Sequence, residues 1–170
     1  MRYALLPGLL ATLAATIGGA WPSAASGTSE HAGGCAASAV HYSPHPNTPQ
    51  GVGGPWITTR ASLFYGELFY YGSTSWKDKH LRTVRIFTPS ASRSVHPKVL
   101  WLARAAGAGT TLAIKGRRLD APGAFSSHSS LTGENQFPSY VEAPRAGCWR
   151  VTLTSGRLTD TAVFIVVDHL

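Results

Sequence analysis

The sequence predicts an all-β protein, a sandwich of short antiparallel strands, and three observations carry that prediction. Short alternating or apolar runs recur at intervals of roughly 8–20 residues between Gly- and Pro-rich breaks. No run shows the 3.6-residue period of an amphipathic helix of useful length. The stretch from Phe137 to Val167 also reads as two antiparallel strands with a turn at each break. Within it, Trp149, Val151 and Leu153 alternate with Cys148, Arg150, Thr152 and Thr154, as a half-buried strand requires. Pro144-Arg145-Ala146-Gly147 and Ser155-Gly156-Arg157 supply turn chemistry on either side. Thr161 to Val167 is β-branched and nearly all apolar, which predicts cover on both faces.

Residues 1–25 read as a secretory signal peptide. Arg2 provides the charge, Ala4 to Gly19 the apolar run, and small residues set a cut after Ala20 or Ala25. The apolar core is shorter than the roughly 20 residues that cross a bilayer, and no later run is long enough. A secreted chain without a transmembrane segment is expected. Residues 26–55 read as a flexible, Gly-, Ser- and Pro-rich leader, and 56–170 as one sandwich domain. His41 and His45 in the leader lack a third ligand at metal-binding spacing, so no metal is assigned.

Along the domain, strands are expected over Trp56–Tyr65 and Leu68–Tyr71, with a break at Gly66-Glu67. Further strands are expected at Leu81–Phe87, Lys98–Arg104 and Thr110–Arg117, and Ala121–Gln136 reads as a Gly/Ser/Pro loop. The aromatics crowded between Trp56 and Trp76 suit a sandwich core or a stacking platform for sugars. Most are assigned to the core. Tyr70, Tyr71 and Trp76 are kept as candidates for an exposed binding surface, with Lys77, Lys79 and Arg82 beside them.

Cys35 and Cys148 are the two cysteines, and in an exported chain they predict one disulfide. It would close a loop of more than a hundred residues, worth about 4–5 kcal/mol on the chain-entropy model. If Trp149 points inward, the bridge belongs on the outer face or edge. A second reading makes Cys35 the lipid attachment point of a lipoprotein; the distance between the apolar run and Cys35 argues against it.

The formal net charge is +7, with 15 Lys and Arg against 8 Asp and Glu. The basic residues gather loosely at Lys77–Arg85 and at Lys115, Arg117 and Arg118. An acidic glycan or an anionic surface is one partner this balance suits; solubility and strand-edge protection is the plainer explanation. No nucleic-acid-binding motif is present. There is no Gly-x-Ser-x-Gly elbow, HExxH, CxxC or phosphate loop, and His128 among serines has no orienting acid nearby. No catalytic residue and no cofactor are assigned.

Phe137-Pro138-Ser139-Tyr140-Val141 followed by Pro144-x-x-Gly147-Cys148-Trp149-Arg150-Val151 resembles the closing strands of immunoglobulin-like domains of bacterial surface proteins. Trp149 stands where a tyrosine is common in those domains. With Gly116-Arg117-Arg118-Leu119-Asp120 and the final apolar strand, the set is similar to a group of uncharacterised exported bacterial proteins, which also carry a cysteine soon after the signal. The resemblance spans Lys98 to Val167 best. It implies an immunoglobulin-like sandwich with a disulfide-tethered N-terminal segment, and it brings no catalytic or ligand-binding residues. The function expected is a secreted, non-catalytic, monomeric module that binds an envelope glycan, an anionic surface or a protein partner. The alternatives are a small hydrolase using His128 and a structural accessory domain with no ligand.

Overall fold

Ten strands build the described part of the chain, which a computed structural model covers at residues 34–44, 46, 48–74, 76, 80–90, 95–104 and 106–168. They are β1 (Val40–His41), β2 (Trp56–Thr58), β3 (Phe64–Leu68), β4 (Arg85–Phe87) and β5 (Lys98–Ala103). β6 (Thr111–Arg118), β7 (Ala124–Ser130), β8 (Gln136–Tyr140), β9 (Gly147–Ser155) and β10 (Leu158–Val167) follow. Among the described residues they form two five-stranded sheets, ordered β1-β2-β3-β5-β8 and β4-β10-β9-β6-β7. All pairs are antiparallel except β4 with β10. The architecture is the immunoglobulin-like β-sandwich that the sequence predicts. Residues 1–25, read from the sequence as a signal peptide, and the start of the expected leader lie outside the described residues.

The period-2 patterns decide which side chains meet between the sheets. β9 and β10 pair from Val166↔Gly147 to Leu158↔Ser155, which sets Trp149 opposite Phe164 and Val151 opposite Ala162, all facing inward. From the other sheet Phe64, Leu68, Val99, Trp101 and Phe137 point at them, and Trp101 meets Phe164 edge-on with ring centres 6.4 Å apart. Burying side chains of this size contributes about 1.5–3 kcal/mol each. Two glycines make room for the largest rings. Gly66 lies opposite Trp101, where a Cβ would come 2.7 Å from the indole. Gly116 lies opposite Phe125, whose ring occupies the space a side chain would need.

Three expectations change. The first hairpin turns at Thr59–Leu63 instead of Gly66-Glu67, because Ser62 takes a positive φ of 58° and Asp160 gathers the turn's amides. Gly66 is needed inside β3, beneath Trp101. The expected strand at Leu68–Tyr71 is instead the end of β3 and a 3-10 turn over Phe69–Ser73. The stretch read as a loop at 121–136 contains β7, an edge strand whose sequence, AFSSHSS, is too polar to signal burial.

The Cys35–Cys148 disulfide forms, with the Cα atoms 5.6 Å apart. It lies off the core, on the side of β9 away from Trp149. From Cys35 the chain runs along the β10 edge: Ser38 exchanges hydrogen bonds with Val163, and Ser38 O accepts from Val84 N–H. Val40 and His41 then pair with Ile57 and Trp56 in the other sheet. The later part of the predicted leader therefore closes one side of the sandwich. This is also what half-covers Val163 and Ile165, the outward residues of the apolar last strand.

Candidate functional site

The outward side of the first sheet holds the most site-like relief among the described residues. Alternation along β2, β3 and β5 turns Trp56, Thr58, Tyr65, Glu67, Leu100 and Leu102 away from the core. The segment between β1 and β2 folds over half of this face. Glu67 holds it there, with one carboxylate oxygen accepting the N–H groups of Gly53 (3.1 Å) and Gly54 (2.9 Å). Ser43 adds a bond to Gly54 O. A carboxylate is suited to this task because it accepts two amides at once and the bonds are charge-assisted.

The uncovered half is a pair of clefts, each of about 470 Å³, that share Tyr65 and Arg104. His41, Trp56, Thr58 and Ser62 line one; Gln50, Leu102, Glu134 and Gln136 are among those lining the other. Aromatic contacts hold the shared wall. His41 stacks on Trp56 at 4.3 Å, Trp56 meets Tyr65 edge-on at 5.6 Å, and the Arg104 guanidinium lies 5.9 Å from the Tyr65 ring centre. An aromatic face beside an arginine, hydroxyls and an amide can bind a polyhydroxyl ligand by stacking and hydrogen bonding.

The residues proposed from sequence fall elsewhere. Tyr70, Tyr71 and Trp76 are buried, at 2 %, 0 % and 7 % exposure, so their reading as an exposed surface is corrected. The 3-10 turn carries the two tyrosines inward, where Tyr70 donates to Arg85 O at 2.7 Å and Tyr71 Oη accepts from Arg85 N–H at 3.0 Å. Burial pushes both phenols above their usual range, against the smaller opposing pull of the Arg85 bond on Tyr71. Trp76 stacks on Phe87 at 4.2 Å. Lys77 and Lys79 lie outside the described residues. Arg82 is exposed, and its carbonyl accepts from Val40. Sequence reasoning missed Tyr65 and Arg104. The alternation around Tyr65 was available as a signal, but the misplaced turn left its facing undetermined.

His128 stands on the outward face of β7, opposite Ala113. Its neighbour Ser129 is buried on the other face and donates to Pro138 O. Among the described residues no group of three His, Cys, Asp or Glu side chains is placed to hold a metal ion. No described helix is long and apolar enough to cross a membrane.

A smaller, more apolar cleft of about 380 Å³ lies over the disulfide, between Cys35, Leu119, Cys148 and Ile165. Its charged groups satisfy each other: Arg118 Nε donates to Asp120 at 2.7 Å, and Asp120 also accepts from Cys148 N–H.

No family model matches the chain, and neither the curated proteins nor the solved structures contain a match to it.

Proposed function

We propose that the protein is a secreted, non-catalytic binding module of the immunoglobulin-like exported bacterial type, and that it takes an envelope glycan on the outward side of its first sheet. The observation that carries this reading is the pair of adjoining clefts built around Tyr65 and Arg104. The two adjoin at Tyr65 and Arg104 and bring an aromatic ring together with donors and acceptors from Thr58, Ser62, Gln50 and Gln136, groups suited to a chain of sugars. The disulfide supports export, because such bonds persist in oxidising compartments. The N-terminal charge-apolar-small pattern supports it independently.

The test is titration of the mature protein with uncharged N-acetylglucosamine oligomers, read by calorimetry. Binding by the wild type that weakens about tenfold or more in Tyr65→Ala and Arg104→Ala, with melting temperatures within a few degrees of wild type, is the expected result. Absence of binding to these oligomers and to a panel of neutral envelope glycans would overturn the reading.

A further inference from the structure

The outward side of the second sheet has a different character from the first. β6 and β9 pair so that Arg117 and Arg150 are directly opposite each other, both exposed. Like charges placed so are destabilising unless something neutralises them. Lys115 is the next outward residue on β6, opposite Thr152. The two cross-strand rows here read Ala124–Arg117–Arg150–Val163 and Ser126–Lys115–Thr152–Thr161, three cations among small and hydroxyl-bearing residues.

Arg150 also lines a cleft of about 340 Å³ at the β10 side of this face, and Arg60 lines it too. Ser38, Thr58, Thr59, Ser62 and Thr161 complete its polar wall, and none of the described lining residues is acidic. The carboxylate behind that wall is Asp160. Its oxygens are already taken by Thr59 Oγ1, the amides of Ala61 and Leu63, and its neighbour Thr161 N–H. It neutralises part of the local positive potential and has little capacity left for the arginine side chains.

We propose that this face, centred on the cleft between Arg60 and Arg150 and continued by Arg117 and Lys115, binds a linear acidic polysaccharide. Two arginines lining a cleft can each donate a planar, bidentate pair of hydrogen bonds to a carboxylate, and the file of cations beyond it follows a charged chain. Among the described residues the exposed large apolar ones, Phe69, Leu119, Leu131 and Tyr140, all lie off these rows. A bilayer would find nothing here to insert, so a soluble polyanion fits better than a membrane.

The experiment measures retention of the mature protein on immobilised polygalacturonate at about 0.15 M salt, with neutral dextran and phosphatidylglycerol/phosphatidylcholine vesicles alongside. The variants are R60A/R150A and, as a control that removes the same charge from other exposed sites, R145A/R157A. Binding to polygalacturonate but not dextran, weakened about tenfold or more in R60A/R150A and less than about twofold in the control, is the expected result. Equal losses in both variants would show diffuse charge attraction and overturn the proposal. So would no binding by the wild type, or retention on vesicles with none on polygalacturonate. R60Q/R150Q keeps most of each aliphatic stem and gives the same reading should the alanine variant unfold. Because Tyr65 and Arg104 are untouched, failure here and failure of the neutral-glycan groove are separate results.

Discussion

At the scale of single residues, Asp160 is a buried carboxylate that joins the two sheets. It faces inward from β10, 7 % exposed, and its carboxylate collects the Thr59 hydroxyl and the amides of Ala61, Leu63 and Thr161. Thr59 and the turn it starts belong to the first sheet and Asp160 to the second, so one side chain ties the two together. Burial by itself would raise the carboxyl's pKa, but the bonds from Thr59, Ala61, Leu63 and Thr161 together hold it below its ordinary value of 3.8. Because the folded value is depressed, the stabilisation is complete above the ordinary carboxylate value and is lost as pH falls through the folded one. Asp120 is also lowered, through Arg118 and Cys148, and adds to the same acid window. Asp160→Asn replaces one acceptor oxygen with a donor that faces N–H groups. It should cost about 2–3 kcal/mol at pH 7. The measurement is the urea midpoint at pH 7 and pH 3: the wild type should lose more on acidification than the variant. Equal losses would mean that Asp160 does not carry the pH dependence assigned to it.

At the scale of elements, the 3-10 turn shows how a motif can be legible in composition and opaque in placement. Phe69-Tyr70-Tyr71 has the composition of a strand, and an exposed platform was a reasonable expectation. What local sequence could not show is where β4 needs partners. β4 is parallel to β10, so the N–H and C=O of Arg85 point away from β10, at an edge with no further strand among the described residues. The two tyrosine hydroxyls satisfy both groups. Their burial and the capping of the edge are one device, a substitute for a neighbouring strand. Removing both hydroxyls in a Tyr70→Phe/Tyr71→Phe variant should cost about 1–3 kcal/mol in total, with little change in apolar packing. It should also expose the β4 edge, so the variant should aggregate faster than wild type at matched stability, read by light scattering during slow unfolding. A variant as stable and as soluble as wild type would sink this account. β7 illustrates the opposite failure: AFSSHSS is half-exposed on an edge, so its burial pattern carries too little apolar signal to distinguish it from a loop. By contrast β9 was readable almost residue by residue, since it has one face in the core, and β10 was readable from Thr161 on as a β-branched apolar run, but not over its more polar start at Leu158–Asp160.

At the scale of the whole molecule, the sandwich is closed along one side by a lash that begins at Cys35. The bridge spans 113 positions in sequence, so the unfolded chain loses much freedom through it. From the bridge to the start of β1 the lash leans on Ser38, which bonds to Val163 and Val84, and on Val40 at the head of β1, which bonds to Arg82. Its existence was legible from the two cysteines, Cys35 and Cys148; its course was not, because Gly-, Ser- and Pro-rich sequence has no periodicity to follow. The candidate grooves were hidden for a related reason. Tyr65 with Arg104, and Arg60 with Arg150, come from strands and turns far apart in sequence, and only the sheet registers bring them together. Ser38 and Ala36 also wall the Arg60–Arg150 cleft, so the bridge supports that site as well as the fold. Replacing both cysteines with alanine should therefore have two effects. Global stability should fall by about 4–5 kcal/mol at most, as the loop length predicts. Amide exchange at Ser38 and Val40 should rise beyond what the global loss explains, because those bonds open locally once the lash is untied. Exchange at Val151 and Leu153, in the centre of β9, should rise only as far as global stability falls. If Ser38 and Val40 instead track Val151, the lash is held by its hydrogen bonds alone and the bridge acts solely on the unfolded chain.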